Sequence, residues 1–226
     1  MMKLYISFLA TLMILICSCK QQPDFDAVKI GEHSWMIKNL DVITFKNGDT
    51  IPESKTKEEW VAYGTARKAA WCYYNNDIRE GAQMGKLYNW YAVNDPRGLA
   101  PLGWHVPSDN EWDILADFLG GTDNAGDKMK ITNEWEGYEE EDDDGKPTGE
   151  FRSDAATNES GFSAYPSGVN TYRGLCATGN FRGCWWSTTK DNDDFPIYRL
   201  IYATFSDLDR QSSTDCRGAS IRCLKD

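Results

Sequence analysis

The chain has 226 residues, is 13% aromatic with nine tryptophans, and carries a formal net charge of −11. That length suits one domain, and a body of this size buries roughly 70% of its unfolded surface, so a full hydrophobic core is available. The acidic balance, with no run of clustered Lys or Arg, argues against a phosphate-binding surface and excludes nucleic acid as the expected partner.

The chain starts with a short basic segment, MMK, followed by an apolar run of 13 residues at 4–16 (LYISFLATLMILI). That run is short for a membrane span and suits the core of an export signal. ICSCK (16–20) resembles a bacterial lipobox, with small Ser18 before the cut and Cys19 as the residue to be lipidated; an ordinary secretory signal is the alternative. Removal of 1–18 removes one charge, Lys3, and leaves 23 basic against 35 acidic residues, a net −12. The expected membrane attachment is through acyl chains on Cys19, more than one for stable anchoring, without a transmembrane helix. Residues 20–27 (KQQPDFDA) read as a polar tether. The organisation expected is therefore a signal over 1–18, a tether over 19–27 and one domain over 28–226, at the outer membrane, facing the periplasm or the cell surface. Export permits disulfides. Besides Cys17 and Cys19 there are Cys72, Cys176, Cys184, Cys216 and Cys223, an odd number that leaves at least one unpaired within the chain. Spacing does not select a pairing.

From Val28 the sequence alternates. Val28, Ile30, Trp35, Ile37 and Leu40 predict two short strands around a Gly31-Glu32 turn. Thr56 to Glu59 fits a capping box before Trp60, Val61 and Tyr63, predicting a short helix that Gly64 ends. Residues 69–77 (AAWCYYNND) predict a strand or extended segment. In GKLYNWYAVND (85–95), Leu87, Trp90 and Tyr91 stand at i, i+3 and i+4, which predicts a helix.

GWHVPSDNEWDIL (103–115) concentrates chemically active side chains, and local chemistry accounts for most of them. Ser108 and Glu111 make an S-x-x-E capping box, with acids in the first turn where the helix dipole favours them. Trp112, Leu115, Ala116 and Leu119 form one apolar face, and Gly120-Gly121 stops the helix. His105 is expected to be packed and hydrogen-bonded. The chain's other histidine is His33, so a histidine metal site or a Ser-His-Asp relay has little material.

The acidic stretch GYEEEDDDGKPTGE (137–150) departs from a calcium loop. With Gly145 at the sixth position, Glu140, Asp142 and Asp144 fall at one, three and five, but Phe151 stands at twelve where the bidentate glutamate belongs. Gly145-Lys146 mimics the end of a phosphate loop, but Pro147 follows and no glycine stands at 140. A solvated loop is expected, with no cofactor; calcium has no motif behind it. From 161 onward, residues 161–168, 183–189, 198–206 and 219–226 read as strands, separated by turns at Asn170–Arg173, Asp191–Asp194 and Asp207–Asp215. Strand, helices and then a run of strands predict an α+β domain.

Seven blocks in order, VKIGEHSWMIKNLDV, WCYYNND, GKLYNWYAV, GWHVPSDNEWDIL, GFSAYPSG, WWSTT and SIRCLKD, resemble the Fibrobacter succinogenes major paralogous domain. The resemblance runs from Val28 to Asp226 and implies an exported protein, often a lipoprotein. HVPSDNEWDIL is also similar to a block of sulfatase-modifying-factor domains, and WWS with the closing IRC to that group and to C-type lectins. This implies a C-type-lectin-like fold: two helices, at 86–93 and 109–119, flanking a twisted antiparallel sheet, a long loop region, and a first strand near Val28 paired with the last near Ile221. The sequence departs from both groups. Within residues 28–226 the E-P-N, Q-P-D and W-N-D sugar motifs of C-type lectins are missing, with Asn192-Asp193 a faint echo. Nothing positions Cys216 and Cys223 as a copper-holding pair, and two histidines cannot supply an iron-binding triad.

The function expected is a non-catalytic binding or adhesion module for a glycan or a protein. Its ligand residues are sought near the C-terminal turns, at Tyr172, Arg173, Trp186, Asn192 and Asp193. Trp185 and Trp186 are neighbours, so in a strand one is expected to face inward and the other outward. The alternatives are a carboxylate-based glycan hydrolase, a cysteine and copper oxidase, and a structural surface component. A hydrolase needs two carboxyls about 5 Å or roughly 6.5–9.5 Å apart, and no spacing singles out such a pair.

Overall fold

The computed structural model describes residues 25–136, 139–141, 147–151, 156–214 and 217–226. The export signal and Cys19 lie outside the described residues, as does Cys216.

Strands β1 (Ala27–Ile30) and β2 (His33–Met36) form the expected hairpin. Ile30 pairs with His33, so the turn holds only Gly31 and Glu32. Gly31 sits at φ +60°, the conformation a two-residue turn with glycine first requires. Helix α1 (Lys57–Thr65) starts as predicted: the Thr56 side chain accepts the Glu59 N–H at 3.2 Å. Glu59 in turn accepts the Lys55 N–H at 2.7 Å. Then come β3 (Trp71–Cys72), a 3-10 turn at Tyr74–Asn76, α2 (Ile78–Met84), β4 (Leu87–Asn89) and the single turn α3 (Trp90–Val93).

The helix expected over 86–93 is thus a strand followed by one helical turn. Asn89 divides them. Its carboxamide oxygen accepts the N–H of Ala92 at 3.1 Å, capping the turn, and the N–H of Ala70 at 3.1 Å, tying the strand end down. Strand β5 (Trp104–His105) precedes α4 (Asp109–Phe118), where the Ser108–Glu111 box is complete in both directions. Helix α5 (Thr122–Met129) follows.

The acidic stretch is a hairpin in part. The backbone of β6 (Glu139–Glu141) pairs antiparallel with β7 (Pro147–Phe151), and 142–146 lie outside the described residues. Residues 161–168 make only isolated bridges, at Ala164 and Gly168, and the strand begins later as β8 (Val169–Asn170). The C-terminal half continues with β9 (Cys176–Ala177), β10 (Arg182–Lys190) and β11 (Pro196–Tyr202). It ends with β12 (Asp209–Ser212), β13 (Gly218–Ala219) and β14 (Leu224–Lys225). The segment expected as one turn over Asp207–Asp215 therefore contains a strand.

The described strands pair in the orders β1-β2-β14-β5, β3-β4-β13-β8-β9, β10-β11-β12 and β6-β7. The domain is α+β. The two ends of the chain meet, although the last strand pairs with β2 through Leu224 and Trp35 rather than with β1.

Strands β10 and β11 lie between two apolar cores. On one side Trp186, Tyr198 and Leu200 join Trp71, Tyr88 and Trp90. On the other, Trp185 and Ile201 join Trp35, Trp112, Leu115 and Phe162. In that second core the Trp35 and Trp112 rings are 4.9 Å apart, and Trp112 lies 6.5 Å from Trp185. Adjacent tryptophans do point to opposite faces, but both faces are covered. Trp186 is therefore buried, its indole N–H donating to Tyr88 O at 2.8 Å.

Two buried cations pin these layers. Arg199 on β11 donates to Asp109, and to Asp113 at 2.8 Å, fixing the start of α4 to the sheet. Asp109 also receives Arg210 of β12 at 2.7 Å. Arg222 is fully buried and, among the described residues, has no carboxylate partner. It donates to Asn39 Oδ1 at 2.8 and 3.2 Å, to Met36 O at 3.1 Å, to Ser163 O at 3.3 Å, and to Phe162 O. All five of its N–H groups are thereby used. Burial pushes its pKa down to about 9, still well above neutrality, so it remains charged. Asn39 relays this centre outward, accepting Trp185 Nε1 at 2.8 Å and donating to Met84 O at 2.8 Å.

Candidate binding cleft

An open cleft of about 610 Å³ lies between the segment after α1, the α3 turn with its following loop, and the end of β10. Arg67 and Lys68 come from the first, Tyr91, Asn94, Asp95 and Arg97 from the second, and Lys190 from the third. The volume falls within the range of small-ligand sites. The short α3 turn places Trp90 and Tyr91 together: Trp90 goes into the core, its ring 5.7 Å from Trp186, while Tyr91 is half-buried at the cleft.

The cations differ in how they are held. Arg97 is bidentate to Asp95 at 2.8 Å on both nitrogens, reaches Asp49 at 3.1 Å, and lies 4.0 Å over the Phe45 ring. The Arg97 hydrogen bonds hold the Asp95 carboxyl below its ordinary range, so it is ionised. Lys190 pairs with Asp194 at 3.1 Å across the tip of the β10–β11 hairpin. Among the described residues, neither Arg67 nor Lys68 has an ion pair or a side-chain hydrogen bond.

Arg67 also has an unusual backbone. The Lys68 N–H donates to Tyr63 O at 2.9 Å and the Arg67 N–H to Gly64 O at 3.1 Å, which is a Schellman ending of α1. Arg67 occupies the left-handed position of that motif at φ +53°. Glycine is favoured there, and a side chain costs about 1 kcal/mol.

The residues expected to bind ligand do not converge. Tyr172 and Arg173 are exposed on the turn between β8 and β9, where Arg173 Nε donates to the Tyr172 hydroxyl at 2.8 Å. That turn closes on the start of α1: Gly174 has φ +72°, and a Cβ there would stand 2.6 Å from Lys57 O. The cleft is at the other end of α1, roughly 14 Å away for nine residues. Asn192 and Asp193 form the exposed hairpin tip just beyond Lys190, organised by Asp191, whose carboxylate accepts the N–H groups of Asp193 at 3.0 Å and Phe195 at 2.9 Å. Trp186, being buried, offers no face to a ligand.

His105 is hydrogen-bonded, as expected, but it is 39% exposed and joins two carboxylates. Nε2 meets Glu111 at 2.9 Å and Nδ1 meets Asp226 at 2.7 Å. Ser108 Oγ donates to Glu111 at 2.7 Å, so serine and histidine share a carboxylate and do not form a relay. Burial opposes the imidazolium, but Glu111 and Asp226 together outweigh it and raise the His105 pKa. A raised folded pKa means that the clasp stabilises fully below the unfolded value of about 6.5 and fades as pH rises through the folded one. Replacing His105 by Gln is expected to lower Tm by about 2–4 °C at pH 6, for a half-exposed pair worth at most about 1 kcal/mol. By pH 9 the gap to wild type should close. Thermal unfolding at the two pH values measures this, and an unchanged gap contradicts the clasp.

A second cleft, of about 390 Å³, lies over Arg222 and is rimmed by Gln83, Glu134 and Tyr165. Its groups are engaged: the Tyr165 hydroxyl donates to Glu134 at 2.7 Å, and Arg222 is spent on its acceptors. Burial, helped by Glu134, raises the Tyr165 hydroxyl. Cys72, Cys184 and Cys223 are free and buried, and desolvation raises all three thiols, Cys184 to about 11. Cys223 is thus held as the neutral thiol by burial. Among the described residues there is no group of three or more His, Cys, Asp or Glu that could hold a metal ion. None of their helices is long and apolar enough to cross a membrane.

The connecting segments of this α+β domain thus bring Arg67, Lys68 and Tyr91 to the lining of one cleft. The chain belongs to the Fibrobacter succinogenes major domain family, whose model matches residues 28–225. No curated protein and no solved structure matches it.

Proposed function

We propose that the protein is an exported lipoprotein, anchored through Cys19 at the outer membrane or cell surface, whose cleft binds a glycan without transforming it. The lipobox-like ICSCK and the apolar run before it support the anchor. The lectin-like resemblance of the sequence fits a site carried on loops. The observation that carries the reading is the cleft beside Tyr91: an aromatic edge flanked by Asn94 and Lys68, the combination that sugar recognition needs. Asp95 is the one carboxylate among the residues lining it, and Arg97 keeps it ionised, so the cleft supplies neither a protonated carboxyl nor a carboxyl pair.

Binding of detergent-solubilised full-length protein to a broad saccharide array tests this. Asn94 is exposed and its side chain has no partner among the described residues, so Asn94→Ala should leave Tm unchanged. It should weaken the bound saccharide about tenfold, the worth of one good hydrogen bond. A blank array, or an affinity indifferent to Asn94→Ala, contradicts the site.

A further inference from the structure

We propose that the ligand of this cleft is an acidic saccharide, bearing carboxylate or sulfate groups, and that Arg67 and Lys68 are the residues that read its charge. The inference rests on the glycan reading and narrows it. The whole chain is strongly acidic, at −11, which repels anions at long range. The cleft reverses that sign, setting Arg67, Lys68, Arg97 and Lys190 against Asp95. Arg97 is already neutralised by Asp95 and Asp49, and Lys190 leans on Asp194 at the exposed hairpin tip. The charge left over is therefore on Arg67 and Lys68.

Helix polarity alone is an incomplete explanation for these two. Cations after the last turn of α1 do complement its C-terminal carbonyls. That benefit belongs equally to Lys68 and does not require a side chain at the one position where glycine is favoured, the left-handed Arg67. A side chain carried at a conformational cost, exposed and lining a cleft, is the pattern of a residue used for binding. Arginine suits the role because its planar fork can engage a carboxylate or sulfate through two parallel hydrogen bonds.

The test uses full-length protein and three probes: hexagalacturonate, its fully methyl-esterified neutral counterpart, and a sulfated hexasaccharide. Hexagalacturonate or the sulfated probe is expected to bind at least tenfold tighter than the neutral ester, and the better of the two identifies the anion. Its affinity should fall steeply between 50 and 500 mM NaCl. Arg67→Gly is expected to raise Tm by about 2–4 °C, because strain is removed. The same change should weaken the acidic probe about tenfold and flatten its salt dependence. Loss of binding alongside a gain in stability cannot be blamed on misfolding. Equal, salt-insensitive binding of ester and acid overturns the acidic ligand while leaving the glycan site standing. An Arg67→Gly variant that is more stable yet binds the acid unchanged overturns the role of Arg67. Failure of every saccharide, neutral or acidic, removes the glycan reading itself.

Discussion

Replacing Arg222 by methionine is expected to destabilise the protein by about 3–5 kcal/mol, a large part of the 5–15 kcal/mol that holds a typical domain. Methionine fits the volume but donates nothing. Met36 O and Phe162 O would each lose a buried hydrogen bond and Ser163 O a partly buried one, and an orphaned buried acceptor costs about 1–3 kcal/mol. The guanidinium's contact with the Phe162 ring, 4.3 Å away, goes as well. Releasing a buried charge offsets part of the loss, which is why the figure is not higher. Asn39 Oδ1 keeps Trp185 as a donor, so the arginine change does not orphan it. Urea unfolding monitored by tryptophan fluorescence measures this, and a loss under about 1 kcal/mol would mean that Arg222 does not organise the core.

Asp109→Ala is expected to cost about 3 kcal/mol, the low end for stripping a carboxylate from a buried cation. Arg199 is 1% exposed in its side chain and Asp109 13%, so water cannot replace the lost partner. Asp113 also touches Arg199, which limits the damage. Its own side chain is 51% exposed, so Asp113→Ala should cost no more than about 1 kcal/mol. Burial, not the number of ion pairs, separates the two. The double variant Asp109→Ala with Arg199→Met should be less destabilised than the sum of the single changes, because no unpaired charge remains. Strict additivity would contradict the clamp.

The sequence-derived expectations held where a few neighbouring residues decide the structure. Gly31-Glu32 makes a hairpin because its two-residue turn requires glycine's freedom. Ser108 and Glu111 start α4 because their partners lie within one turn. Leu87, Trp90 and Tyr91 misled for a related reason. Residues 87–90 are all buried, so spacing carries no facial information, and Asn89, bonded to Ala70 from a distant segment, sets the boundary. Alternation along a strand makes Trp186 half of an in-and-out pair; it is buried because the sheet carrying it has a core on each side. The cleft cations are hidden in the sequence by one boundary. With α1 ended at Gly64, Arg67 becomes an ordinary loop cation. With α1 ended at Thr65, Arg67 takes the left-handed position and stands out. Arg222 was visible only as one letter of the closing IRC block.

What the sequence determined by itself is the set of local devices: turns, caps, alternating strands, the α+β class and, through its ordered blocks, the family. Those follow from interactions within a turn or a strand pair, whose partners are close along the chain. Only the tertiary structure decided that both faces of β10 are buried, that Arg222 sits among carbonyls, and that Arg67 and Lys68 meet Lys190 in one cleft. Each of these depends on segments separated by more than a hundred residues, and their meeting is set by how two cores close around a shared sheet, which no short stretch of sequence encodes.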